Sequence, residues 1–125
     1  MGEIRILLVE DDHEIRETVG EILEEEGYVV TTATTGRDAL DKLKAAATLP
    51  SIILLDLMMP VMDGWAFRRE QRNDPALAPI PVIILTAGSI TENMATLEAT
   101  DLLRKPFDMD VLLEKIRKVF DMRTT

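Results

Sequence analysis

The chain contains no cysteine and only one histidine, His13. Without cysteine it has no disulfides, thiol nucleophiles or zinc–thiolate sites, and one histidine cannot build a multi-histidine metal site. No run of about eighteen apolar residues occurs, so the sequence predicts no membrane-spanning helix. The N-terminus shows no small-residue cleavage site, so we expect no signal peptide. These absences favour a cytoplasmic location.

Positive charge is also scarce, because 14 lysines and arginines stand against 23 aspartates and glutamates, a formal net charge of −9. Contact with a phosphate backbone needs concentrated lysine and arginine, so we expect no direct binding to nucleic acid. An acidic surface suits divalent cations and basic partner surfaces, although most of these charges are expected only to keep the protein soluble. With 125 residues, 46% of them hydrophobic, the chain is long enough for one domain with a real core.

The most informative stretch is the apolar run from Ile52 to Leu55, which ends in Asp56 and is followed by Pro60. Four consecutive apolar residues indicate a strand buried on both faces, as at the centre of a parallel sheet. A carboxylate at the carboxyl end of such a strand lies where open α/β sheets bind ligands. This stretch alone leaves open whether Asp56 is functional, the polar end of a strand, or a helix cap.

Strands and helices alternate along the chain. Helical periodicity follows the first strand and ends near Gly27, and Thr35 is placed to cap a second helix whose apolar stripe runs to Ala47. The short connections predict a single (βα)5 domain, with helices on both faces of a parallel sheet and a core over residues 4–120. The predicted strands are 4–9, 28–33, 52–56, 81–86 and 102–103.

Polar residues follow the predicted strands where they end: Asp11-Asp12, Asp56, Thr86 and Lys105. Because the carboxyl ends of parallel strands share one edge of a sheet, we expect these side chains to converge. Crowded carboxylates repel one another unless a cation joins them, and oxygen-only ligands select a hard ion such as Mg²⁺. Asp56 can then attack a phosphoryl donor, while the metal, Lys105 and Thr86 neutralise the phosphoryl oxygens.

Five motifs together resemble the receiver domain of bacterial two-component response regulators, and the resemblance covers nearly the whole chain. It implies a flavodoxin-like fold with strand order 2-1-3-4-5. It also implies a protein that catalyses its own phosphorylation and dephosphorylation but turns over no external substrate. The motifs are Leu-Val-Glu-Asp-Asp at 8–12, Leu-Leu-Asp-Leu-Met-Met-Pro at 54–60, Met-Asp-Gly at 62–64, Ile-Leu-Thr-Ala at 84–87 and Lys-Pro-Phe at 105–107.

The resemblance also assigns roles to the converging residues. Asp56 is the expected phosphoacceptor, taking a phosphoryl group from a histidine kinase or a histidine phosphotransfer protein. Mg²⁺ is expected to bind Asp12, Asp56 and the backbone carbonyl of Met58, with Asp11 acting mainly through water. Glu10 is expected to be peripheral. Thr86 and Lys105 would hold the phosphoryl oxygens, and the Lys105–Pro106 peptide bond would be cis.

Two departures from the family bear on output. The family usually carries an aromatic switch residue three positions before the lysine, where this chain has Leu102. The stretch from Thr86 to Lys105 is about three residues shorter than usual, roughly one helical turn, so the fourth helix is expected to be short or irregular. These features favour an alternative, a pseudo-receiver that binds partners independently of phosphorylation. A phosphohydrolase normally needs a second carboxylate where Met58 stands, and we set it aside.

The expected partners are a kinase or phosphotransfer protein, a downstream effector and, in some receivers, a second copy of the domain. We expect no DNA-binding or transmitter segment after the last helix, which is predicted to end near Met122. The chain is then either a stand-alone receiver or a fragment of a larger regulator or hybrid kinase.

Overall fold

A computed structural model of the chain describes residues 3–57, 62–87 and 98–124, with side chains up to residue 120 in the last helix. The described strands are β1 (Arg5–Val9), β2 (Val29–Ala33), β3 (Ile52–Asp56), β4 (Val82–Thr86) and β5 (Asp101–Arg104). The described helices are α1 (His13–Glu25), α2 (Gly36–Ala45), α3 (Gly64–Asn73) and α4 (Met109–Thr124). None of the helices in these described ranges is long and apolar enough to cross a membrane.

All five strands are parallel and lie in the order β2-β1-β3-β4-β5. This is the flavodoxin-like order that the resemblance implied. Every residue of β3 and β4 is buried, whereas the edge strands β2 and β5 are partly exposed. The continuous apolar runs of β3 and β4 therefore reflect strands with neighbours on both sides and helices on both faces.

The core has two layers, one on each face of the sheet, because successive strand residues point to opposite faces. On one face, Ile6, Leu8 and Leu54 pack with residues of α1 and α4, including Leu23 and Ile116. On the other face the strand residues pack with α2 and α3. That second layer includes Leu7, Val9, Leu40, Leu43, Ile53, Leu55, Phe67 and Ile84.

The end of α2 and the segment between Thr86 and Lys105 bear on two predictions made from the sequence. The apolar stripe of α2 was predicted to reach Ala47, which is wrong: α2 ends at Ala45, the backbone of Ala46 is extended, and Ala47 is exposed. The chain leaves α2 there because it must turn back toward β3. The short fourth helix expected between Thr86 and Lys105 falls largely on residues 88–97, which lie outside the described residues.

Polar side chains of α3 hold the segment that leads into β5. The buried guanidinium of Arg68 donates to the Gln71 side chain at 2.8 Å and to the carbonyl of Glu98 at 3.0 Å. Arg72 forms an ion pair with the Glu98 carboxylate at 2.6 Å. Burial lowers the pKa of Arg68, the positive charge of Arg72 lowers it further, and Glu98 opposes both. At the start of β5, Lys115 of α4 pairs with Asp101 at 3.0 Å.

The loop between β3 and α3 is fastened at two points close to Asp56. The backbone N–H of Gly64 donates to the carbonyl of Leu57 at 3.0 Å, and the N–H of Gly36, the first residue of α2, donates to the carbonyl of Met62 at 3.0 Å. A Cβ on Gly64 would lie 2.7 Å from the Leu57 Cα, which is backbone and cannot swing away. The absence of a side chain at Gly64 therefore keeps α3 close to the end of β3.

We expect Gly64→Ala to lower the free energy of unfolding by about 2 kcal/mol, since the added methyl group must displace backbone in a packed site. The matched control is Gly20→Ala in the middle of α1, where nothing lies within 4 Å of the added Cβ. That change should raise the free energy of unfolding by about 0.5–1 kcal/mol through helix propensity. Urea denaturation measures both, and similar effects of the two substitutions would contradict the close-packing explanation.

Candidate functional site

The carboxyl ends of the strands meet at one edge of the sheet and bring the predicted polar residues together. Asp56 closes β3 and pairs in register with Leu85 of β4, so that Thr86 lies one residue further along. The residue after β5, Lys105, donates its backbone N–H to the carbonyl of Thr86 at 2.7 Å. The Lys105–Pro106 peptide bond is cis.

Three polar side chains at this edge are almost completely buried. The exposed fraction is 3% for Asp56, 1% for Thr86 and 0% for Glu10. A carboxylate withdrawn from water is strongly destabilising unless hydrogen bonds or an opposite charge compensate for it. The carboxylates of Glu10 and Asp56 therefore need partners within the site.

Lys105 partners both buried carboxylates. Its ammonium forms a direct ion pair with Glu10 Oε1 and lies 3.6 Å from Asp56 Oδ2. The other oxygen of Glu10 accepts the backbone N–H of Asp12 at 3.4 Å. The prediction that Glu10 is peripheral is therefore wrong. Glu10 continues the line of β1, and its backbone N–H donates to the carbonyl of Ala33 at 3.0 Å. Its position directly after a buried strand was the signal in the sequence that it belongs to the site.

The carboxylates of Glu10, Asp11 and Asp56 form what we call the carboxylate group: one oxygen from each lies within 4.8 Å of the others. Asp11 is exposed, so the group is open to solvent on one side. Three carboxylates against the single ammonium of Lys105 leave a formal charge of −2, which one divalent cation would balance. An all-oxygen donor set open to water suits Mg²⁺, which keeps several waters when it binds.

Asp12, the predicted direct metal ligand, has a structural role at the start of a helix. It is the N-cap of α1, and its Oδ1 accepts the backbone N–H of Ile15 at 3.1 Å. Among the described residues it is not part of the carboxylate group. The roles of Asp12 as a direct metal ligand and of Asp11 as a water-mediated one stay predictions, and the geometry adds that Asp11 belongs to the carboxylate group. An aspartate just before an amphipathic helix is a common N-cap, and that rule identifies Asp12 in the sequence.

Three further residues were singled out in or near the site: Met58, Leu102 and His13. Met58, whose backbone carbonyl was predicted as a metal ligand, lies outside the described residues. Leu102, at the switch position, lies within β5 and packs, partly buried, against the core layer beneath α2 and α3. His13 is exposed, and its Nε2 lies 3.8 Å from Glu17 Oε1, in keeping with a solvated residue.

Comparison with protein families gives one match that spans most of the chain. Residues 6–117 match the response regulator receiver domain. The response regulator MprA of Mycolicibacterium vanbaalenii is 39% identical over 125 residues, which cover 98% of this chain and 52% of that protein. The transcriptional regulatory protein CrdR of Helicobacter pylori is 36% identical, covering 94% of this chain and 55% of its own length. The chain thus spans about half the length of the curated relatives it matches.

Solved structures agree with this match. The chemotaxis protein CheY4 of Vibrio cholerae has a TM-score of 0.86 at 33% identity, covering 94% of this chain and 99% of its own. The signal receiver domain of a signal transduction histidine kinase from Syntrophus aciditrophicus has a TM-score of 0.83 at 37% identity, covering 94% and 89%. The likeness therefore covers most of the chain and of its fold.

The different positions of the two neighbouring aspartates predict different effects on cation binding. Asp11→Asn should weaken Mg²⁺ binding by at least about tenfold, because a ligand carboxylate should matter no less than an outer-shell partner. If Asp12 acts only as the cap of α1, Asp12→Asn should change the affinity by no more than about twofold, since asparagine caps a helix as well as aspartate does and only one nearby charge is lost. Calorimetric titration with MgCl₂ measures both. A larger loss for Asp12→Asn would show that the sequence-based assignment of the ligands was the better one.

The ion pairs of Lys105 predict a specific loss of stability. In Lys105→Met the buried carboxylate of Glu10 loses its ammonium partner, so we expect the free energy of unfolding without divalent cations to fall by about 3 kcal/mol. The control is Lys118→Met. Lys118 Nζ lies 3.9 Å from Glu114 Oε1 in an exposed ion pair, and the loss of this pair should lower the free energy of unfolding by less than about 0.5 kcal/mol. Urea denaturation in the presence of a chelator compares them, and equal losses would contradict this assignment.

Proposed function

Because this chain belongs to the response regulator receiver domain family, we propose that it is a phosphoacceptor of two-component signalling and that Asp56 is the phosphorylated residue. The observation that carries the proposal is the setting of Asp56. Its carboxylate is buried at the end of β3, 3.6 Å from the ammonium of Lys105, and belongs to an oxygen-only group suited to a divalent cation.

The proposed reaction is a phosphoryl transfer from a phosphohistidine. An oxygen of Asp56 forms a bond to phosphorus while the bond between phosphorus and the donor imidazole nitrogen breaks, and the electron pair of that bond returns to the nitrogen. Bound Mg²⁺ would supply positive charge to the phosphoryl oxygens, with Glu10, Asp11 and Asp56 as the described residues that would hold it. Asp12 and the carbonyl of Met58 remain further predicted ligands.

Lys105 and Thr86 are proposed to stabilise the phosphoryl group. The ammonium of Lys105 already lies between Glu10 and Asp56, so a phosphoryl group on Asp56 would present it with a stronger anion in nearly the same place. Thr86 ends the strand next to Asp56, and its hydroxyl can donate to an oxygen of the phosphoryl group. The chain would catalyse its own phosphorylation and dephosphorylation and turn over no other substrate.

The proposed partners follow from this chemistry. A histidine kinase or a histidine phosphotransfer protein would supply the phosphoryl group. A downstream effector, or a second copy of the domain, would then bind the phosphorylated form. We place this exchange in the cytoplasm. The domain need not contact nucleic acid itself, in keeping with its net charge of −9.

A second candidate function is a pseudo-receiver that binds partners independently of phosphorylation. Leu102 favours it, because a leucine packed against the core layer has neither a ring nor a hydroxyl with which to report on Thr86. The geometry around Asp56 favours the phosphoacceptor, since a module without phosphoryl chemistry has no use for the destabilising burial of Glu10 and Asp56.

The test is intact-mass spectrometry after incubation with acetyl phosphate, with and without Mg²⁺. We expect one added phosphoryl group only with Mg²⁺, none on Asp56→Asn, and normal addition on Asp110→Asn, which removes an exposed carboxylate of α4. If acetyl phosphate fails, a phosphorylated histidine phosphotransfer protein is the second donor. Failure of both donors in the presence of Mg²⁺ would favour the pseudo-receiver, and addition to Asp56→Asn would refute Asp56 as the acceptor.

A further inference from the structure

Arg16, in the first turn of α1, donates hydrogen bonds to three consecutive carbonyl groups in the segment that directly follows β1. Its backbone N–H donates to the carbonyl of Asp12 at 2.9 Å. One nitrogen of its guanidinium donates to the carbonyl of Glu10 at 2.9 Å and to that of Asp11 at 3.3 Å. A second guanidinium nitrogen lies 3.2 Å from Nδ1 of His13. Arg16 therefore contacts the main chain of both residues that bring β1 to the carboxylate group.

We infer that Arg16 is a positioning residue of the cation site: it fixes the backbone turn from Glu10 to Asp12 so that the side chains of Glu10 and Asp11 converge with Asp56. The inference rests on the proposed function, because it assigns a role in holding the cation that Asp56 chemistry would need.

The geometry requires the turn to have one shape. Adjacent carbonyls of an extended chain point in opposite directions, so the carbonyls of Glu10 and Asp11 reach one guanidinium nitrogen only where the backbone has left the strand conformation. The same turn directs the Glu10 side chain into the protein and leaves Asp11 exposed. If the bonds to Arg16 are lost, the turn that places the two carboxylates beside Asp56 loses two of the hydrogen bonds that fix its shape.

Arg16 also differs from Lys105 in what it bonds. Lys105 occupies an oxygen of the Glu10 carboxylate, whereas the guanidinium of Arg16 bonds main-chain carbonyls and leaves the carboxylate oxygens available to a cation. A planar guanidinium has several donors in a fixed arrangement, and the ammonium of a lysine does not reproduce that geometry.

The sign of the effect separates positioning from simple electrostatics. A positive charge close to a cation site repels the cation, so on Coulomb's law alone the removal of Arg16 would tighten Mg²⁺ binding. If Arg16 positions the ligands, its removal weakens Mg²⁺ binding despite the loss of that repulsion. Replacement by lysine leaves the charge unchanged and tests the geometry alone.

The experiment is calorimetric titration of the chain with MgCl₂ at fixed ionic strength, with folding checked by circular dichroism. We expect Arg16→Met to weaken binding by about tenfold, the lower end of the effect seen when groups that orient metal ligands are removed, and Arg16→Lys to weaken it by less, about threefold, because a lysine can keep part of the hydrogen bonding. Arg69→Met, which removes an exposed arginine of α3, is the control and should match the unaltered chain.

The Mg²⁺ affinities of the two Arg16 variants show whether Arg16 positions the ligands. Unchanged affinity in Arg16→Lys, or tighter binding in Arg16→Met, overturns the inference. If Arg16→Met does not fold, the affinity of Arg16→Lys alone decides, because that variant keeps the charge and most of the side chain. If the unaltered chain itself binds no Mg²⁺, the cation site of the proposed function fails, which is a different result from a normal site that is indifferent to Arg16.

Discussion

The ion pairs of Lys105 with Glu10 and Asp56 are the interaction on which the candidate site depends. Two carboxylates are buried at the end of a parallel sheet, and both lie against this ammonium. Such a cluster is stable only while every charge keeps its partner, since an unpaired buried charge costs several kcal/mol. The sheet meets this requirement by aligning the ends of β1, β3 and β4 and by bringing the segment after β5 back to Thr86.

Most of the fold could be predicted from the sequence because its strongest signals are local. The buried runs that became β3 and β4, the helical periodicity of α1 and the Thr35 cap of α2 depend on near neighbours in the chain. The convergence of Asp56, Thr86 and Lys105 followed from one rule, that parallel strands end at the same edge. The strand order came from the family resemblance, because hydrophobic pattern alone does not order the strands of a sheet.

The errors concern Glu10 and Ala47, and the neighbouring aspartates show a further detail that the sequence pattern left open. Asp11 and Asp12 are adjacent and chemically identical; the structure shows Asp12 as the cap of α1 and Asp11 in the carboxylate group, and their predicted roles as metal ligands stay predictions. Glu10 directly follows a buried strand, but an acidic residue is normally exposed, and the burial of Glu10 depends on a lysine 95 positions further along the chain. Ala47 fits the apolar stripe of α2, but the return of the chain to β3 ends the helix first.

The polar contacts at the start of β5 have a consequence for how the sheet comes apart. An edge strand with one neighbour normally frays before the strands at the centre, because few contacts oppose its local opening. Here Arg68 and Arg72 of α3 hold Glu98 on one side, and Lys115 of α4 holds Asp101 on the other. Asp101 of β5 is thus bound to α4, and the segment that enters β5 is bound to α3. To open, the outermost strand beside Thr86 must therefore give up its pair with α4 as well as its hydrogen bonds to β4, while the segment before it stays bound to α3.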